Sequence, residues 1–202
     1  MLPEIEILRA APYAPVLARM RERHAAVHRG EAPGLVLLVE HEAAFTAGRA
    51  TPPADLQPGI VAIERGGQIT YHGPGQLTVY PIVPLPKRDL RDWLRRLEAF
   101  GVRVAAAFGL DAVPSVDGTG VFVGSRKFAS IGVAVKHWIN LHGIGINVAM
   151  DLAPWHRVRP CGRSPDVMTD LSRCAGRPLA FAAAIDAAVA AISLLTDPGE
   201  PL

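Results

Sequence analysis

Lysine is scarce in this chain. Of 21 basic residues, 18 are arginine and only Lys87, Lys127 and Lys136 are lysine. Cysteine is scarcer still: Cys161 and Cys174 are the only two, too few for a disulfide framework. An excess of charge of one sign is missing, since the formal net charge is +2, so nothing points to nucleic acid. No apolar run nears the ~18 residues of a membrane span. Glu4 and Glu6 interrupt the opening segment, so no signal peptide is expected there. These absences lead to an expectation of a reducing cytoplasm, where a thiol stays available for chemistry. Repeats, low-complexity tracts and linkers are also lacking. Residues 1–202 are therefore expected to form a single domain around one core, in keeping with 50% hydrophobic and 20% charged residues.

Several motifs are missing as well. There is no Gly-x-x-x-x-Gly-Lys-Ser/Thr phosphate loop. Gly73 and Gly75 lack the third glycine and the following helix of a dinucleotide fingerprint. His24 and His28 have i, i+4 spacing, but no third ligand accompanies them and His-Glu-x-x-His is absent, so a solvated helix face is expected and no metal.

What is present centres on residues 65–76, Arg-Gly-Gly-Gln-Ile-Thr-Tyr-His-Gly-Pro-Gly-Gln. Apolar segments that read as strands flank it, Ile60–Ile63 and Leu77–Val83. Glycines and hydrogen-bonding side chains between buried strands suit a grip on substrate; the alternative is a long hairpin connection with ordinary turn residues. Around this segment, strands are expected at Glu4–Arg9, Gly34–His41, Asp111–Val116, Val121–Val123, Phe128–His137 and Ile139–Val148. Helices are expected at Pro12–His28, Leu90–Phe108 and Leu179–Leu195. The second would bury a stripe of Leu90, Trp93, Leu94, Leu97, Phe100, Val104 and Phe108. Glu42–Gln57 and Asp151–Leu171 read as loops. The pattern is that of an α+β fold, a mixed sheet with helices packed on it.

Two side chains stand out for chemistry. Cys161 lies in Pro-Cys-Gly with Arg157, Arg159 and Arg163 nearby, and positive charge raises the thiolate fraction; otherwise a free cysteine serves as a small buried residue, the role expected for Cys174. If the strand alternates regularly, Lys127 shares a face with Ala129, Ile131, Val133 and Val135, where lost hydration lowers its pKa and makes it a base. A bulge at Gly132 would reset that register, and a snorkelling lysine would escape the face. Thr70, His72 and His142 sit among glycines and are well placed to line a site.

Taken in order, these segments resemble the octanoyltransferases of lipoate biosynthesis. The resemblance runs from about residue 34 to 171. Glu40-His41, Thr46-Ala-Gly-Arg49 and the 65–76 stretch fit first; Arg126-Lys-Phe-Ala-Ser-Ile-Gly132, His142-Gly-Ile-Gly-Ile-Asn-Val148 and Pro160-Cys-Gly162 follow. The resemblance implies a fold similar to the catalytic domain of lipoate and biotin protein ligases. It implies transfer of an octanoyl group from octanoyl-acyl carrier protein to a lysine of lipoyl domains, those of 2-oxoacid dehydrogenases or the glycine-cleavage carrier protein, as the first step of endogenous lipoate synthesis. No ATP and no cofactor take part. Cys161 would carry the acyl group as a thioester, and Lys127 would activate it. Arg65, Gly66, Gly67, Gln68, Ile69, Thr70, Tyr71 and His72, with Ser130, Ile131, Gly132, Gly143, Ile144 and Gly145, would bind substrate. Arg88, Arg91, Arg95, Arg96 or the arginines near Cys161 would meet the acidic carrier. Arg163 and Asp170 depart from the family pattern and bear on the acceptor surface. The alternatives are an ATP-dependent lipoate or biotin ligase and a non-catalytic carrier-binding module.

Overall fold

A computed structural model describes residues 2–116, 120–158, 164–197 and 199–200. Among them ten strands form two sheets. The strands are β1 (Glu4–Ala11), β2 (Leu35–His41), β3 (Ala44–Ala47), β4 (Ile60–Ala62), β5 (Ile69–His72), β6 (Gln76–Ile82), β7 (Ala112–Pro114), β8 (Gly120–Val123), β9 (Arg126–Lys136) and β10 (Ile139–Asn147). The larger sheet has the order β1-β2-β6-β10-β9-β8-β7, and the smaller β4-β3-β5. β1 runs parallel to β2 and β3 parallel to β4, while the other pairs are antiparallel, so the sheets are mixed as expected.

Both faces of the large sheet are covered, which is why β2 reads as an unbroken apolar run. Val36 and Leu38 enter one core with helix α2 (Leu90–Ala106) and helix α4 (Phe181–Ala190). Leu35, Leu37 and Val39 enter the opposite core with Val16 and Met20 of helix α1 (Tyr13–Arg29). Asp89 caps α2, its carboxylate accepting from the backbone N–H of Arg91 and Asp92. Trp93, Leu97, Phe100 and Val104 are fully buried along that helix. Leu90 is not: it is 46% exposed.

Three other expectations change. The 42–57 segment contains a strand, β3, and a short 3-10 turn, Pro53–Asp55. The 65–76 stretch itself contains β5. Strands of four residues are too short to announce themselves by alternation. The closing helix is interrupted: α4 ends at Ala190 and a one-turn helix, α5 (Ser193–Thr196), follows. Before it lies a short helix α3 (Leu171–Ala175), capped by the Asp170 carboxylate and ended by Gly176 with φ of 64°. Among the described residues no helix is long and apolar enough to cross a membrane.

Candidate active site

The small sheet is tied over one face of the large one by residues 65–68. The Gly66 N–H donates to the Val133 carbonyl of β9 (2.9 Å), and Gly48 N–H to the Gln68 carbonyl (3.3 Å). Arg65 reaches back through the junction. It lies against Gly132 and donates to the Thr46 carbonyl and hydroxyl, both at 2.9 Å. Between the layers runs a narrow slot with a cavity volume of about 40 Å³. Its floor is Ser130, Gly132, Gly143 and Gly145 of β9 and β10, and Arg65, Gly67, Gln68 and Thr70 form its roof. Bare glycine backbone on the floor leaves room for a thin ligand, provided the roof lifts.

At one end the slot rests on a buried polar network. The Gln76 side-chain N–H₂ donates to the Tyr71 carbonyl (3.2 Å) and to Asn147 Oδ1 (3.0 Å). Its Oε1 therefore faces His72, whose Nδ1 must donate to it at 2.7 Å, leaving Nε2 as an acceptor. Asn147 Nδ2 donates to the Thr169 carbonyl (2.9 Å), and the Thr169 N–H donates to the Lys127 carbonyl (2.9 Å). The chain of bonds thus links the 65–76 motif, β10, the segment after residue 163 and the backbone of Lys127. Such a network orders a site only when its members are satisfied, as these are.

Lys127 is 2% exposed, buried as expected, but on the other face. Val121 of β8 pairs with Ala129, whereas Phe122 pairs with Lys127, so Phe128 is an extra residue. The bulge is at Phe128 and not at Gly132. Phe128 and Ala129 both enter the α2 core, and Lys127 turns towards the slot side. A Cβ on Gly120 would collide with Lys127 Cε, and Gly120 pairs with Ser130, which lines the slot. Lys136, in contrast, is exposed at the far end of β9.

Cys161 lies outside the described residues, with Arg159, Pro160, Gly162 and Arg163. The described residues on either side of it, His156, Arg157, Val158 and Pro165, line an open cleft of about 520 Å³. Gln68 lines both that cleft and the slot. Met168 bridges to Lys127, and the Asp166 carbonyl accepts from Arg126 (3.1 Å).

Of the expected binding residues, Arg65, Gly67, Gln68, Thr70, His72, Ser130, Ile131, Gly132, Gly143, Ile144 and Gly145 line the slot. Strand alternation turns Tyr71 away, onto Phe45 and Trp155, and Ile69 lines the neighbouring cleft instead. Gly66 contributes its backbone bond to Val133. Tyr13, Gln76, Thr78, Tyr80 and His142 also line the slot. Gln76 ended the recognised stretch and could have been included; Tyr13, from α1, left no local signal. Arg96 cannot meet a carrier: it is 2% exposed and donates to Asp92 (2.8 Å) and to the Leu194 and Asp197 carbonyls. Arg88, Arg91 and Arg95 are exposed. Asp170 is fully buried and structural, accepting from the N–H groups of Arg173 (2.7 Å) and Met150 (3.3 Å). Among the described residues no group of three His, Cys, Asp or Glu side chains gathers as a metal site.

Burial holds two histidines beside the slot neutral. It pushes His72 down to about 3, and the nearby His41 adds to the effect. It pushes His41 down to about 4. The His41 Nδ1–H donates to the Ala11 carbonyl (3.1 Å), so Nε2 accepts from the Tyr80 hydroxyl (2.9 Å). The unfolded chain binds protons at both histidines below about pH 6.5, where the folded protein does not. Their contribution to stability is whole above that pH and is lost as pH falls towards 4 and 3. Thermal melts at pH 7 and pH 5 should differ by at most about 2 kcal/mol per histidine, with the acid sample less stable.

A polar-capped, glycine-floored slot thus lies between a large mixed sheet and a small second sheet. The family described as lipoyl protein ligase A/B catalytic domain matches residues 12–193. An octanoyltransferase from Geobacter metallireducens is 42% identical over 168 residues, covering 81% of this chain and 79% of that protein. The fold is also that of a lipoate-protein ligase A solved with ATP, with a TM-score of 0.75 at 17% identity over 96% of this chain and 85% of that one. A biotin protein ligase from Aquifex aeolicus aligns with a TM-score of 0.53 at 14% identity over 96% of this chain and 68% of that one. The chain belongs to the lipoyl protein ligase A/B catalytic-domain family and, within it, to the octanoyltransferases.

Proposed function

We propose that this octanoyltransferase takes its acyl group from octanoyl-acyl carrier protein and delivers it to a lysine of a lipoyl domain, through a thioester on Cys161. The observation that carries the reading is Lys127, a buried lysine whose side chain lies beside Gly120, the partner of slot-lining Ser130, and whose carbonyl accepts from Thr169 in the segment that follows the Cys161 loop. We assign Lys127 as the base that activates the thiol. Lys127 Nζ takes the proton of the Cys161 thiol. The thiolate forms a bond to the octanoyl carbonyl carbon, and backbone N–H groups near Cys161 and the glycine segments take up the oxyanion charge. The carrier thioester bond breaks and the carrier thiolate leaves with the proton held by Lys127. The lipoyl-domain amine then attacks the acyl-enzyme; an amide bond forms, the Cys161 thioester breaks, and the amine's proton passes by way of Lys127 to the sulfur. Exchanging a thioester for an amide runs downhill, so the sequence needs no nucleotide. Exposed Arg88, Arg91 and Arg95 suit an acidic carrier.

The test is intact-protein mass after mixing with octanoyl-acyl carrier protein in the absence of ATP. The wild type should gain one octanoyl group and lose it on adding a lipoyl domain, and Cys161→Ser should gain none. Modification of the lipoyl domain only with octanoate and ATP would instead establish ligase chemistry.

A further inference from the structure

One residue that lines the slot has an unusual conformation. On β9 and β10 the floor runs from the Ser130/Gly145 pair to the Gly132/Gly143 pair. The next pair is Val133 and His142. Regular alternation would send the His142 side chain through the sheet, as it does for Val133, which packs on the α2 core. Instead His142 has φ of 66°, a left-handed conformation in the middle of a strand and one that non-glycine residues rarely adopt. The imidazole turns onto the slot side, where it lines the slot at 1% exposure and stands edge-on to Tyr80. Nδ1 has no hydrogen-bond partner, and Nε2 faces the Glu64 carboxylate at 3.5 Å, beyond a well-formed bond. The left-handed backbone and the unpartnered Nδ1 cost stability, while Nε2 pairs with the Glu64 carboxylate. Glu64 lines a second cavity of about 430 Å³ with Arg21, His24, Leu141 and Lys136. His142 lines the slot and touches Glu64, so the imidazole and that carboxylate stand between the slot and the second cavity.

Resting on the reading of the slot as the acyl site, we propose that His142 sets the acyl length. From Ser130, beside Lys127, to Val133, opposite His142, is three strand residues, about 10 Å at ~3.3 Å each. An extended chain of single C–C bonds near 1.5 Å advances roughly 1.25 Å per carbon, so about eight carbons reach from one to the other. The floor cannot yield, since it is the backbone of the central strands, and a longer chain meets the imidazole. Removing the ring opens the slot towards the second cavity, with only the Glu64 carboxylate left between them.

The test is competition. Wild type, His142→Gly and His142→Asn are each mixed with equal octanoyl-, decanoyl- and dodecanoyl-acyl carrier protein, and the acyl adducts are weighed by intact mass. Glycine and asparagine both tolerate the left-handed backbone, so both variants are expected to fold. The ratio of adducts within one sample does not depend on the folded fraction. The ratio of decanoyl to octanoyl adduct should rise at least tenfold in both variants, within the range one or two methylenes command in a fitted pocket. An octanoyl adduct on wild type with unchanged ratios in the variants would overturn the inference and leave the acyl-enzyme reading standing. No adduct on wild type at all would remove that reading, and this inference with it.

Discussion

Replacing Lys127 with alanine should slow acylation of the enzyme by about 10²- to 10⁴-fold, the range expected for loss of a positioned base. Lys136→Ala on the same strand should change it less than about twofold. Lys127 is buried against the slot side next to Ser130, whereas Lys136 is exposed at the opposite end of β9. Single-turnover acylation by octanoyl-acyl carrier protein measures the difference, and the alkylation rate of Cys161 at neutral pH should fall in parallel in Lys127→Ala. Equal losses in both variants would show that neither lysine acts on the thiol. Gly120→Ala offers a second approach to the same point. Its added methyl would collide with Lys127 Cε and the Ala129 carbonyl, so acylation should fall although Lys127 is retained.

Gly75→Ala should cost more than about 3 kcal/mol of stability, at the severe end for a single methyl. Pro74 and Gly75 hold the two central positions of a tight turn, closed by the Gln76 N–H donating to the Gly73 carbonyl (3.1 Å). Gly75 has φ of 82°, which strains any L side chain. A Cβ there would also collide with the Ala149 carbonyl and lie 2.9 Å from Met150 Cα, and both are backbone atoms that cannot swing away. The same residue anchors three other bonds: its carbonyl accepts from Val148 and Ala149 N–H, and its N–H donates to Glu40 Oε1 (2.9 Å). Chemical denaturation of the variant should show a reduced midpoint. The shift should carry into activity, since Gln76, which organises His72 and Asn147, is the next residue. A stability within about 1 kcal/mol of wild type would mean that the Ala149–Met150 segment can move aside at little cost.

Much of the site was legible because its chemistry is concentrated in short contiguous stretches. Residues 65–72, 130–132 and 143–145 stand out by their glycines, and most of them do meet in one slot. The failures share one cause. A regular pleat would put Lys127 on the α2 side, and the extra residue at Phe128 reverses it. A bulge depends on what pairs across the strand, which the strand's own sequence does not state. His142 stands among its glycines, but the sign of its φ, and so the face it occupies, is a property of the folded sheet. Arg96 looked like its surface neighbours because α2 carries arginines on several faces; its burial follows from the docking of α5 and the Leu194 and Asp197 carbonyls.

By itself the sequence determined the α+β class, the order of the main elements and the family, because periodicity, glycine placement and motif order are local and survive without coordinates. Tertiary structure alone decided which face each side chain meets, how the two sheets enclose a slot, and where that slot ends. Those depend on register between strands distant in the chain, and a shift of one residue in register exchanges core for site.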